Sequence, residues 1–170
     1  VDSAWHGQFG VVTLSQDDSR LAVTVFGSDG EQIWVKRLPN GPVSRVTLGA
    51  GGGSRPAWTP DGRYLTFISS TSGAVRKAWM QRADGSADAT PLATASNGVE
   101  EIEWMPDGRH YLIRLGSTTS SRDILVGTVG DTALKPLLAG PSDEFAPAIS
   151  PDGKWFAYVS TESGRAEVFV

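Results

Sequence analysis

Cysteine is absent from the 170-residue chain. Disulfide staples, thiolate nucleophiles and cysteine-ligated metals are therefore excluded, and thiol content assigns no redox compartment. Imidazole is almost as scarce: His6 and His110 are the only two, so a histidine-dependent site has two candidates. No apolar run approaches the roughly 18 residues of a spanning helix, and residues 1–10 carry no basic, apolar, small-residue leader pattern; no membrane insertion is expected of the chain as given. With 15 Lys+Arg against 19 Asp+Glu the net charge is −4. There is no block of five or more like charges, which argues against a phosphate-backbone partner, and no nucleic acid is expected. Long segments with a 3.6-residue apolar period are also missing, so very little helix is predicted.

What the chain does contain is a repeated turn. Thr59-Pro60-Asp61-Gly62-Arg63-Tyr64 returns as Met105-Pro106-Asp107-Gly108-Arg109-His110 and as Ser150-Pro151-Asp152-Gly153-Lys154-Trp155, with a worn copy at Ser15-Gln16-Asp17-Asp18-Ser19-Arg20. The first Asp of each copy recurs after 44, 46 and 45 residues. A period near 45 with several short strands per unit is the signature of propeller blades. The expected fold is all-β, a β-propeller of four-stranded antiparallel blades. About four blades are present, at approximately 8–52, 53–96, 97–140 and 141–170, the last without its outer strand. Residues 1–170 then form one partial propeller domain, expected to be a piece of a six- to eight-bladed ring.

Local chemistry accounts for the unit. A first strand (11–15, 55–59, 101–105, 146–150) runs into the turn, where proline presets φ at the first central position, Asp suits the second, and Gly accepts the positive φ that follows. Asp18 stands where the other copies have Gly, a position Asp tolerates at modest strain. Return strands at 21–26, 64–68, 111–115 and 155–159 are apolar at consecutive positions, as when both faces are covered. Gly/Ser turns lead to third strands carrying Trp34, Trp79, Leu125 and Phe169. Asn40-Gly41, Asp84-Gly85 and Gly130-Asp131 then introduce polar outer strands around Leu48, Leu92 and Leu137.

The run Pro56-Ala57-Trp58-Thr59-Pro60-Asp61-Gly62-Arg63-Tyr64-Leu65-Thr66-Phe67 resembles the repeat of TolB-type β-propellers, over essentially residues 8–170. Phe145 to Trp155 and Ser163 to Val170 look most like the C-terminal propellers of bacterial serine/threonine kinases; the propellers of the prolyl-oligopeptidase and dipeptidyl-peptidase group are also similar. The resemblance implies an interaction or sensor module that continues into further blades, and it favours a periplasmic or extracytoplasmic location. Catalytic activity does not carry over, because the chain has no kinase phosphate loop, no kinase catalytic loop and no Gly-x-Ser-x-Gly elbow.

Asp17, Asp61, Asp107 and Asp152, with Gly62, Gly108 and Gly153, are read as structural turn residues, since each blade supplies one carboxylate per turn. No metal, cofactor or catalytic residue is expected: His6 and His110 lack the carboxylate and nucleophile of a catalytic arrangement. Charge stands where the repeat does not require it. Arg55 aligns with Val11, Glu101 and Ala146, Glu103 aligns with Thr13, Ala57 and Ala148, and Arg114 replaces Ile68 and Val159. Arg55, Glu100, Glu101, Glu103 and Arg114 are thus a candidate channel rim for a peptide amine, a cation or a small polar ligand, against the alternative of ion pairs between blades. Trp34, Trp58, Trp79, Trp104 and Trp155 fall at repeat positions and are expected in the core, with Trp5 outside the pattern.

The function expected is a non-catalytic propeller that binds a protein, a peptide or a small polar ligand. The alternatives are the gating propeller of a serine peptidase whose catalytic domain lies outside the chain, and a TolB-like periplasmic scaffold. Open blade edges, with Leu21, Val23, Phe156 and Tyr158 on uncovered faces, would favour a homo-oligomer.

Overall fold

The computed structural model describes residues 7–47, 51–70, 75–116, 121–131 and 133–170; Trp5, His6, Leu48 and the Thr71-Ser72-Gly73 segment, read as one of the Gly/Ser turns, lie outside them. Fifteen strands and no helix are found among the described residues. Blade 1 is β1 (Gln8–Leu14), β2 (Arg20–Gly27), β3 (Gly30–Arg37) and β4 (Val43–Arg45), and blade 2 is β5 (Ser54–Trp58), β6 (Tyr64–Ser69), β7 (Lys77–Arg82) and β8 (Thr90–Ala93). Blade 3 is β9 (Val99–Trp104), β10 (His110–Leu115), β11 (Ile124–Thr128) and β12 (Lys135–Leu138), and blade 4 is β13 (Glu144–Ile149), β14 (Phe156–Ser160) and β15 (Glu167–Phe169). Each blade is an antiparallel meander in chain order. The first strands begin up to three residues earlier than the turn spacing predicts, and β4 lies ahead of Leu48.

The core lies between blades, not within them. Ala22, Ile33, Val35 and Val46 of blade 1 pack against Trp58, Leu65, Phe67 and Ala83 of blade 2; Ile68, Ala78 and Ala93 of blade 2 pack against Ile102, Trp104, Tyr111 and Ile113 of blade 3. Strand β6 shows why its apolar residues do not alternate: Leu65 and Phe67 face blade 1 while Ile68 faces blade 3, so both faces are buried. Tryptophans fasten the stack. The Trp58 indole donates to the Thr13 carbonyl of blade 1 at 3.3 Å, and the Trp104 indole donates to Thr66 Oγ1 of blade 2 at 3.1 Å.

The first strands β1, β5, β9 and β13 lie innermost, and their turn-side ends surround one axial hollow. The result is a four-blade propeller arrangement. Two expectations about its faces need correction. Val23 is buried at 2 % exposure although it alternates with Ala22, which packs on blade 2, and it pairs with Val12 and Trp34 within blade 1; Trp155, which flanks the turn of blade 4, is 66 % exposed. The uncovered apolar groups of blade 1 are instead Phe9, Val11, Val12, Leu14 and Phe26. On blade 4, Phe156, Tyr158 and Phe169 form a stacked file with centroids 5.2 and 5.7 Å apart.

Candidate binding site on the turn face

Four copies of one hydrogen-bonded turn build this end of the propeller. In blade 2 the Gly62 N–H donates to the Thr59 carbonyl (2.8 Å), the Thr59 hydroxyl donates to Asp61 Oδ1 (2.6 Å), the Arg63 N–H donates to the same oxygen (3.0 Å), and the Tyr64 N–H donates to the Thr59 hydroxyl (3.1 Å). Ser15 with Asp17, and Ser150 with Asp152, repeat the pattern. The expected left-handed residues are Asp18, Gly62, Gly108 and Gly153, with φ of 55°, 65°, 64° and 69°. Gly153→Val puts a β-branched residue at that φ and is expected to destabilise by about 1–2 kcal/mol. A urea midpoint equal to wild type would contradict the left-handed turn.

The hydroxyl hub was not anticipated from sequence. Blade 3 shows what replaces it: Met105 has no hydroxyl, the His110 N–H turns to Asp107 Oδ1 at 2.9 Å, and the His110 ring nitrogen Nδ1 meets Asp107 Oδ2 at 2.6 Å. So His110 does have a carboxylate partner, contrary to the expectation that it is unsupported. The pair closes a turn. Among the described residues no hydroxyl is hydrogen-bonded to its other ring nitrogen.

These bonds tie stability to pH. The Ser15 hydroxyl, followed by Ser19, holds Asp17 at about 2. At Asp107 burial acts upward, but the His110 ring and the His110 and Arg109 N–H groups outweigh it and bring the carboxyl to about 2. Asp61 is lowered against burial by Thr59 and Arg63, and Asp152 is lowered by Ser150. A carboxyl with a depressed folded pKa contributes stability above its unfolded pKa and loses it as pH falls through the folded value. Thermal stability is therefore expected to fall between about pH 4 and pH 2. Glu103 and Glu144, both raised by burial, act oppositely and cost stability as pH rises above the ordinary glutamate range. A melting temperature that is flat from pH 4 to pH 2 would contradict the turn assignment.

Three hollows open side by side on the turn face. The largest, about 580 Å³, lies between the turns of blades 2 and 3 over Tyr64, Met80 and Trp104. The axial hollow is about 230 Å³ and is walled by residues of all four blades, including Leu14, Ala57, Glu103 and Ile149. A third of about 270 Å³ lies between the turns of blades 1 and 2. Gln16, which holds the place of Pro60, Pro106 and Pro151, lines all three.

The five candidate rim residues separate into three places. Glu101 is a clip: its carboxylate meets Arg55 of blade 2 at 3.4 Å and Arg114 of the adjacent strand β10 at 3.1 Å, and it accepts the Ala146 N–H of blade 4 at 3.0 Å. Glu100 points elsewhere, to Arg76 at 2.8 Å, and Arg76 also reaches Ser54. Glu103 alone enters the axial hollow. Bulges explain part of this arrangement. Arg55 and Ala146 both have φ of 52° at register shifts in β5 and β13, and the freed N–H of each donates to the preceding blade, Arg55 to Thr24 Oγ1 at 3.2 Å and Ala146 to Glu101. The prolines that follow them, Pro56 and Pro147, cannot donate to a ladder and were the available sequence signal for a bulge. Of the tryptophans, Trp58 and Trp104 are buried and Trp34 and Trp79 half-buried.

No family model matches the chain. Among curated proteins it is similar to the uncharacterised peptidase YuxL of Bacillus subtilis, 25% identical over 161 residues covering 74% of this chain and 24% of that protein. It is also similar to a TolB homolog of Chlorobium luteolum, 26% identical over 141 residues covering 82% of this chain and 31% of the relative. The chain thus spans 24% and 31% of the length of these relatives. Among solved structures, TolB from Acinetobacter baumannii superposes with a TM-score of 0.78 at 20% identity, over 95% of this chain and 40% of that one. A prolyl endopeptidase superposes with a TM-score of 0.69 at 16% identity, over 95% and 26%. The fold is that of the TolB and peptidase propellers.

Proposed function

We propose that the chain is a non-catalytic interaction module that holds a protein or peptide on its turn face. The observation that carries this reading is the run of three hollows on that face, bordered by turns whose carboxylates are already committed to their own hydrogen bonds. Such a face offers shaped surface without a free nucleophile or acid–base pair. Similarity to TolB supports the reading, and a periplasmic scaffold is its more specific form. Self-association through the open blade faces belongs to the same proposal. Similarity to the Bacillus peptidase and to the prolyl endopeptidase favours a second reading, in which the module gates access to a hydrolase domain. A reading frame with a downstream Gly-x-Ser-x-Gly elbow would select that one.

The test is to pan a random peptide library against the chain, a Gln16→Trp variant that obstructs all three hollows, and a Lys77→Gln variant at the opposite end of blade 2. Enriched peptides are expected to bind Gln16→Trp at least about 10-fold more weakly and Lys77→Gln as well as wild type. Failure to enrich, or indifference to Gln16→Trp, would overturn the turn-face assignment. Activity-based serine probes are expected to leave the chain unlabelled; labelling abolished by a single Ser→Ala change would overturn its non-catalytic half.

A further inference from the structure

Glu103 is a carboxylate placed in a hollow with no cation opposite it among the described residues. Its neighbours on β9 are answered, Glu101 by Arg55 and Arg114 and Glu100 by Arg76. Burial pushes the pKa of Glu103 up, opposed by the nearby Ile149 N–H of blade 4, the behaviour of a charge that its surroundings under-compensate. The fold does not ask for this charge, since Thr13, Ala57 and Ala148 hold the equivalent position in the other blades. An ionisable group that the scaffold neither requires nor neutralises, in a cavity, is a candidate for recognition.

The rest of the hollow specifies the counter-ion. Thr13 and Gln16, which carry a hydroxyl and a side-chain amide as further acceptors, also line it, and neither side chain takes a hydrogen bond among the described residues. Leu14, Ala57, Pro60, Pro106 and Ile149 supply aliphatic wall. One carboxylate with two neutral oxygens suits a monovalent cation with several donors. A hard divalent ion collects six or more oxygens, usually from several carboxylates, and among the described residues no group of three or more His, Cys, Asp or Glu is arranged for a metal. An alkylammonium has three N–H donors for the three acceptors, and its methylene stem would lie along the apolar wall. A space of about 230 Å³ accommodates a four-carbon stem with its ammonium.

We propose that the axial hollow of the turn face receives a lysine side chain presented by a protein partner, with Glu103 as its counter-ion. This rests on the interaction reading above and names the chemical feature recognised. The indole N–H groups of Trp58 and Trp104, both residues of the hollow's lining, report occupancy by NMR. The probe is Nα-acetyl-lysine N-methylamide, compared with its Nε-acetylated form and with alanine N-methylamide, which offers an α-amine without a stem. The lysine probe is expected to shift both indole signals saturably in the millimolar range. It should bind Glu103→Gln at least about 10-fold more weakly, while Nε-acetylation should abolish the shifts and the α-amine should bind more weakly.

Equal titration of wild type and Glu103→Gln, or equal binding of the acetylated probe, would overturn the counter-ion role. An α-amine that matches the lysine probe would overturn lysine in favour of a chain N-terminus. Thr13→Ala with Gln16→Ala, which leaves the carboxylate in place, is expected to weaken the lysine probe as well; no change would refute the three-acceptor arrangement. Selected peptides that bind the turn face but ignore Glu103→Gln would defeat this inference and leave the interaction reading standing. A lysine-specific shift with no peptide enriched would defeat the interaction reading and leave the site.

Discussion

Tyr111→Ala is expected to cost about 3–5 kcal/mol, a large share of the roughly 5–15 kcal/mol that stabilises a typical domain. Tyr111 is fully buried on β10, stacks obliquely on Trp104 with centroids 5.4 Å apart, and sends its hydroxyl to the Leu92 carbonyl of blade 2 at 3.3 Å. It thus ties blade 3 to the outer strand of blade 2. Its ring crowds Gly127 of β11, where the Cβ of any larger residue would fall among the ring atoms. Gly127→Ala is therefore expected to destabilise the wild-type chain by overpacking but to be nearly neutral in the Tyr111→Ala background. Tyr111→Phe, which loses only the hydroxyl bond, should cost about 1 kcal/mol. Urea midpoints of the four variants test the set. Additive effects of Tyr111→Ala and Gly127→Ala would mean that ring and glycine are not coupled.

The fold was legible because each of its signals has a local cause. Proline, aspartate and glycine carry their own φ preferences, so four copies of the turn fix the blade period, and even Asp18 in place of Gly is read correctly as left-handed. Consecutive apolar residues in β6 announce a strand covered on both faces. The site was less legible, because it depends on which blade answers which charge. Side-chain alternation separates Glu100 from Glu101 and Glu103, but nothing in residue order states that Arg76 reaches Glu100 from across the blade boundary. The Ser/Thr hub was hidden by its ordinariness. The exchange of its hydroxyl for Met105 in the one copy that carries His110 was the trace it left in sequence. Trp155 misled because a repeat position implies burial only where a neighbouring blade covers it.

Glu101→Ala is expected to destabilise the chain by about 2–3 kcal/mol, somewhat below the loss for a fully buried pair because the Glu101 side chain is 24% exposed. The loss comes less from the bonds removed than from the charge left behind. The Arg114 side chain is only 11% exposed and Glu101 is its ion-pair partner, so the substitution strands a buried guanidinium. Arg55, 41% exposed, can rehydrate, and the Ala146 N–H lies at an exposed position where water can replace the carboxylate. Arg114 occupies the repeat position that Ile68 and Val159 hold elsewhere, so the repeat itself supplies the repair: Glu101→Ala with Arg114→Ile should return to within about 1 kcal/mol of wild type, a coupling of the size seen for contacting residues. Denaturation midpoints for the two single variants and the double variant decide the matter. If Glu101→Ala proves as stable as wild type, Arg114 is solvated, and Glu101 with Arg55 becomes a rim open to ligand instead of a clip that joins three blades.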